Sequence, residues 1–286
     1  MCSDMAPVST LAGVPIGGPH PVRVMAAMNV SPESFFADSV FADEGALRAA
    51  AQRAVEEGAD IIDVGAKSTA PYLETDIPIE EELRRMQRAV RIVAAAVRVP
   101  ISADTTRASV AAAALAAGAR IVNDVSGLHG DAAMADIAAQ AEGVVLMASP
   151  DGDATGAPIE QVHRLLADSL ARAHRAGIGN AEIVLDPGIG FFTTSGVPAT
   201  QFTCAVLDQL ESLADLGCPL LVGVSRKSSI GHLTGRSDPA DRLAGSLAAA
   251  AVAVYKGAAI VRTHDVAATR DAVRVAEAIR ATRTQD

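Results

Sequence analysis

Polar and charged residues close a series of short apolar runs in this chain of 286 residues, half of them hydrophobic. Asn29 ends the first run, and Lys67-Ser68-Thr69 follows the second. Asp104 ends the third, Asn123-Asp124 the fourth and Asp186 the sixth. The seventh leads into Ser225-Arg226-Lys227-Ser228 and the eighth into Arg262-Thr263-His264-Asp265. A carboxylate accepts two N–H bonds side by side, so Asp104 and Asp186, with the Asn123 amide, suit the flat edge of an amino-heterocycle. Arg226, Lys227, Arg262 and His264 suit an anion, and a short helix starting near Ser228 adds backbone N–H groups. The set describes a pocket for a planar neutral ring carrying a phosphate or carboxylate. Plain alternatives exist for single members. Asn123 and Asp124 also suit a turn, Lys227 a solvated loop or a Schiff base, and His264 a structural hydrogen bond.

The elements that must position these groups follow a regular rhythm. The spacing predicts strands at 23–29, 60–65, 100–104, 120–123, 143–147, 182–186, 219–224 and 259–262. Between and after them it predicts helices at 44–57, 80–98, 107–117, 131–140, 159–176, 200–216, 238–255 and 266–282. Gly58, Gly118, Gly177 and Gly257 stand where helices should stop. Eight such units in one chain of this length predict an α/β fold, a closed (β/α)8 barrel of the TIM type. The barrel is expected over 22–286, behind a loose N-terminal arm over 1–21 that is rich in Gly, Pro and Ser. An open doubly wound sheet is the alternative, but no G-x-G-x-x-G follows the first strand. Long connections at 30–43, 66–79 and 187–199 fall on the C-terminal face, where barrel enzymes keep their active sites.

Composition excludes several classes of partner. The net charge is −10 and no basic run is present, so nucleic acid is not an expected partner. Cys2, Cys204 and Cys218 have no C-x-x-C spacing, which points to free thiols in a reducing cytoplasm. The start of the chain has no signal-peptide pattern, and the longest apolar stretch, around 247–255, is too short to span a bilayer. A cytoplasmic enzyme with no membrane partner is the expectation.

Seven segments, in order, resemble the dihydropteroate synthase family. They run from Met25-Ala26-Ala27-Met28-Asn29-Val30-Ser31-Pro32 and Gly58-Ala59-Asp60-Ile61-Ile62-Asp63-Val64-Gly65 to Ser102-Ala103-Asp104-Thr105 and Ile121-Val122-Asn123-Asp124. They continue with Leu185-Asp186-Pro187-Gly188-Ile189-Gly190-Phe191, Gly223-Val224-Ser225-Arg226-Lys227-Ser228 and Ile260-Val261-Arg262-Thr263-His264-Asp265. The resemblance implies a transferase that joins a 6-hydroxymethyl-dihydropterin diphosphate to an arylamine with Mg²⁺ assistance. It implies that Asp104, Asn123, Asp186 and Lys227 hold the pterin beside Met147, and that Thr69 and Ser228 contact substrate. Asn29 is implied at the metal, with Arg262 and His264 at the diphosphate; Lys227, Arg262 and His264 form the implied catalytic set. A homodimer is a further expectation, with the last two helices as one option for its interface.

The sequence departs from the family pattern in its loops. Lys67-Ser68-Thr69-Ala70-Pro71-Tyr72 stands where Glu-Ser-Thr-Arg-Pro-Gly is usual, and Asp38 falls one residue late in the first loop. Phe192-Thr193 replaces a common Gly-Lys, and Leu146-Met147-Ala148-Ser149 replaces a His-Met pattern. Three readings stay open at this point. The chain is a synthase using p-aminobenzoate or a ribofuranosyl-aminobenzene phosphate of tetrahydromethanopterin synthesis, a degenerate pterin binder, or a pterin-dependent methyltransferase.

Overall fold

The computed structural model describes residues 6–31, 43–67, 77–150, 156–192 and 196–282. Eight parallel strands close into a barrel: β3 (Arg23–Asn29), β4 (Ile61–Gly65), β5 (Ile101–Asp104), β6 (Ile121–Asp124), β7 (Val144–Met147), β8 (Ile183–Asp186), β9 (Leu220–Gly223) and β10 (Ala258–Thr263). They pair in chain order, and β10 closes the ring against β3. The predicted (β/α)8 architecture is therefore the observed one, with strand ends within two residues of the expected positions.

Helices α1 (Glu44–Glu56), α2 (Ile79–Ala96), α3 (Ala108–Ala117), α4 (Met134–Ala138), α5 (Pro158–Arg175), α6 (Ala199–Asp208), α7 (Ser228–Thr234), α8 (Leu243–Tyr255) and α9 (Val266–Ala281) form the outer layer. The predicted helix at 200–216 is α6 followed by a 3-10 segment, Leu210–Leu216, and that at 238–255 begins as the 3-10 turn Pro239–Arg242. The short helix expected near Ser228 is α7, which sits between β9 and α8. Gly58, Gly118, Gly177 and Gly257 all have positive φ, the left-handed conformation that ends a helix at low cost in a residue without Cβ.

Strand side chains alternate between two apolar environments. Val24, Ala26, Ile62, Val64, Ala103, Val122, Leu146, Leu185, Val222 and Val261 pack outward with the helices. Met25, Ile61, Ile121, Val145, Val184, Leu221 and Ile260 form a separate cluster inside the barrel. Two residues further along β4, β6, β8 and β10 the inward positions are polar, at Asp63, Asn123, Asp186 and Arg262, and Asp104 of β5 lies level with Asn123. An apolar floor thus lies beneath a polar layer.

The N-terminal residues complete that floor. Within the stretch read as a loose arm, β1 (Val8–Leu11) and β2 (Val14–Gly17) form an antiparallel hairpin. Leu11 and Ile16 are fully buried in the barrel's inner cluster. Each such burial contributes roughly 1.5–3 kcal/mol. Beside it, Arg270 of α9 ties Asp60 to the carbonyls of Gly58 and Val22, and Glu277 accepts the Val22 N–H at 2.6 Å. No helix among the described residues is long and apolar enough to cross a membrane.

Candidate active site

The polar layer is built by register. Asp104 of β5 lies level with Gly65 of β4 and Asn123 of β6, while Met147 of β7 lies level with Asp186 of β8. Because side chains repeat every second residue, these groups share one interior face at the carboxyl ends of the strands.

Arg262, on β10, is the hub of one half. Its Nε donates to Asp63 Oδ2 at 2.7 Å and its Nη2 to Asp104 Oδ2 at 3.0 Å. Burial works against the guanidinium charge, but the Asp63 and Asp104 carboxylates outweigh it and hold Arg262 above its ordinary range. Asp104 is itself pushed up to about 7 by burial and then by the Asp63 charge, with Arg262 opposing. Asp104 Oδ1 is buried and accepts no hydrogen bond from the described residues. A buried acceptor of this kind costs free energy until something pairs with it, so a ligand donor is the natural occupant. Asn123 Nδ2 donates to both oxygens of Asp63, at 3.3 and 3.2 Å. Its neighbour Asp124 does what a turn former does: it accepts from Ser126 N and Oγ and from Leu128 N.

Lys227 anchors the other half. Its ammonium donates to the Ile189 carbonyl and lies 4.8 Å from the centroid of the Phe191 ring. Burial lowers Lys227 to about 8, while the Asp186 carboxylate opposes the shift. Asp186 is raised by burial, held back by Lys227 and by the Gly188 N–H that donates to its Oδ1 at 2.8 Å. Gly190 makes this arrangement possible: at φ +85°, a Cβ there would lie 2.8 Å from Lys227 Cδ. Ser228 follows Lys227 as the first residue of α7.

The Arg226 of the same loop does not serve as an anion site, which corrects the sequence expectation. Its guanidinium forms a two-point pair with Asp265, at 2.9 and 2.7 Å, and donates to the Pro239 and Ala240 carbonyls. Its φ of +56° is held by this clamp and by its N–H bond to Ser246 Oγ. Arg226 thereby locks the β9 loop to the β10 loop and aims Lys227 inward.

His264 is placed at the mouth but carries no charge. Burial and the nearby Arg262 guanidinium lower it to about 3. Ser225 Oγ accepts the His264 backbone N–H at 3.2 Å and lies 3.1 Å from Nδ1. Ser225 Oγ keeps a second lone pair and its hydroxyl proton, so it pairs with Nδ1 in either tautomer of the ring. His264 is therefore a neutral ring at the mouth, and Arg262 is the fixed cation.

Asn29 ends β3, where its Oδ1 would be only 2.9 Å from a Cβ on Gly65. Met147 is buried at the end of β7. Thr69 lies outside the described residues. The structure thus gathers Asn29, Asp104, Asn123, Met147, Asp186, Lys227, Ser228, Arg262 and His264 at one end of the barrel. The sequence reading missed Asp63 and Ser225 as site residues. The signal for Asp63 was an acid in the middle of the otherwise apolar strand Ile61-Ile62-Asp63-Val64-Gly65.

A closed barrel with paired acids, an amide and fixed cations at its C-terminal mouth has the layout of an enzyme acting on a small polar ring. The family model for pterin binding enzymes matches residues 25–264. A dihydropteroate synthase of Neisseria meningitidis is 39% identical over 272 residues, covering 90% of this chain and 92% of the relative. The Escherichia coli K12 dihydropteroate synthase is 36% identical over 269 residues, covering 91% of this chain and 92% of the relative. A Xanthomonas albilineans dihydropteroate synthase structure with 4-aminobenzoic acid superposes with a TM-score of 0.85 at 40% identity, covering 96% of this chain and 99% of that one. The chain belongs to the dihydropteroate synthase family of pterin-binding enzymes, and its activity class is that family's transfer reaction.

Proposed function

We propose that this enzyme condenses 6-hydroxymethyl-7,8-dihydropterin diphosphate with p-aminobenzoate. The amine nitrogen bonds to the exocyclic methylene carbon, the carbon–oxygen bond to diphosphate breaks, and one amine proton leaves to the medium. The observation that carries this reading is the buried Asp104 Oδ1, without a hydrogen-bond partner among the described residues, beside Asn123 and in one polar layer with Asp186 and Arg262.

In this reading Asp104, Asn123 and Asp186 hold the ring's donor edge, and Met147 packs against it. Lys227, poised near neutrality by burial, donates to a ring acceptor and offsets the Asp186 charge. Arg262 and the His264 ring meet the diphosphate, where negative charge grows as the bond breaks. Ser228, at the start of α7, receives the carboxylate of the arylamine in this reading. Orientation of amine and carbon replaces a bimolecular encounter, so no protein nucleophile is required.

Mg²⁺ fits this site as a substrate-borne ion. The described residues hold no group of three or more His, Cys, Asp or Glu side chains able to cage a metal. Mg²⁺ needs only one or two protein oxygens when phosphate oxygens and water supply the rest, and the Asn29 amide oxygen at the mouth is such a ligand. When bound, it would neutralise charge on the departing diphosphate.

The relative from Xanthomonas albilineans has been crystallised with 7,8-dihydropteroate as well as with 4-aminobenzoic acid, which favours p-aminobenzoate as the acceptor. The altered second loop, with Lys67 and Ala70, motivates a phosphorylated arylamine as the second reading. The test supplies Mg²⁺ and the pterin diphosphate with p-aminobenzoate, with a ribofuranosyl-aminobenzene phosphate, or with no amine. Mass spectrometry reads the adduct and a coupled assay the diphosphate. An adduct with p-aminobenzoate is expected. An adduct only with the phosphorylated amine would install the second reading, and pterin binding without any adduct would defeat both.

A further inference from the structure

Asp63 is fully buried, sits in mid-strand and has no place in the roles assigned above. It nevertheless touches two members of the ligand layer, Arg262 and Asn123. Oδ2 receives Arg262 Nε at 2.7 Å, and both oxygens receive Asn123 Nδ2. A carboxylate paired with arginine is an acceptor only. Whichever group of Asn123 faces Asp63 must therefore be the amide NH₂.

We infer that Asp63 is a positioning residue that fixes the donor–acceptor sense of the site. By holding the Asn123 NH₂, it turns the Asn123 carbonyl oxygen away from itself as an acceptor. A ring that offers N–H groups at that edge is accepted, and a ring that offers a carbonyl there is refused, because two acceptors cannot pair. The same carboxylate grips one edge of Arg262 while Asp104 takes Nη2, so the guanidinium plane is fixed from two sides. Nη1 is the nitrogen neither carboxylate takes, and it is left for the anion. One buried acid thus couples recognition of the ring to placement of the cation that meets the leaving group. This inference rests on the pterin reading given above.

The experiment compares the wild type with Asp63→Asn, which keeps the shape and removes the obligatory acceptor. Two ring probes are titrated calorimetrically: 6-hydroxymethylpterin, with its amino donor, and 6-hydroxymethyllumazine, which has a carbonyl in that place. Inorganic diphosphate is the third probe. In the wild type the pterin binds far more tightly than the lumazine. In Asp63→Asn the freed Asn123 amide can rotate, so the selectivity ratio falls by about tenfold or more. Diphosphate binding weakens by a similar factor, and kcat/KM drops about 100-fold as Arg262 loses its alignment. General loosening of the fold would weaken both rings alike and leave the ratio unchanged, so the ratio is the deciding reading.

Should Asp63→Asn alone fail to fold, Asp63→Asn/Arg262→Gln removes both charges of the pair at once. The same loss of ring selectivity is expected there, since Asn123 is free in both variants. A variant that keeps the wild-type selectivity ratio overturns the inference and leaves the proposed function standing. A wild type that binds no ring probe overturns the functional reading, and the inference with it.

Discussion

Gly190→Ala should disable the site from a position that makes no polar contact with a ligand. The new Cβ would lie 2.8 Å from Lys227 Cδ, about 1 Å inside normal carbon–carbon contact. Lys227 must give way by that distance, because Gly190 belongs to the loop between β8 and α6 that also carries the Ile189 carbonyl bonding its ammonium. An L-residue in the left-handed region costs roughly 1–2 kcal/mol, and an off-rotamer lysine about 0.5–1.5 kcal/mol more. The expected loss of stability is therefore about 2–3 kcal/mol. A displacement of this size at a ligand-holding group lowers kcat/KM by about 100-fold. Gly177→Ala is the matched control: its φ is +86°, and nothing lies within 4 Å of its added Cβ. It should show the backbone cost alone, with kinetics unchanged. Urea unfolding and steady-state diphosphate release measure the two effects. If Gly190→Ala retains kcat/KM within threefold of Gly177→Ala, the assignment of Lys227 to the ligand site is wrong.

Other perturbations separate the remaining roles. Folded His264 takes its proton only near pH 3, against an ordinary 6.5, so its contribution to stability is lost as pH falls through that window. Asp104, raised to about 7 from 3.8, contributes with the opposite sign and loses stability as pH rises. His264→Gln removes the first and keeps the second. Its unfolding free energy relative to wild type should fall by about 1.4 kcal/mol per pH unit between roughly pH 4 and 6, and a flat difference would contradict a neutral His264. Gly65→Ala places a methyl 2.9 Å from Asn29 Oδ1 without left-handed strain. Half-saturation by Mg²⁺ should rise about tenfold while the melting temperature barely moves; an unchanged Mg²⁺ requirement would remove Asn29 from the metal. Val252 on α8 and Val275 and Ile279 on α9 are 47%, 61% and 54% exposed. They are the expected self-association surface, so Val275→Asp should lower the mass seen by light scattering to that of a single chain if the wild type is a dimer.

The barrel was legible because the strands are short apolar runs, most of them ending in or leading into polar residues, and because glycine closes four of the helices. Which face of each strand looks inward was not legible: Ile61 and Ile62 are equally apolar, and only closure of the ring assigns one to the floor and the other to the helices. The same limit hid Asp63, whose meaning depends on Arg262, 199 positions away in the chain. Arg226 and Arg262 are the same residue type in similar loop contexts. Their separate fates, one clamped by Asp265 and the other spread between Asp63 and Asp104, follow from the register of β9 and β10. The hairpin was obscured by the Gly and Pro residues around it, which signal turns without saying that the intervening Val, Leu and Ile positions pair.

That hairpin gives the barrel a stopper. With Leu11 and Ile16 packed into the base, the described residues leave the polar layer facing the opposite end. On the function proposed above, a ring seated on the floor is expected to arrive before the amine that covers it, an order set by a plugged base, whatever the affinity of either substrate.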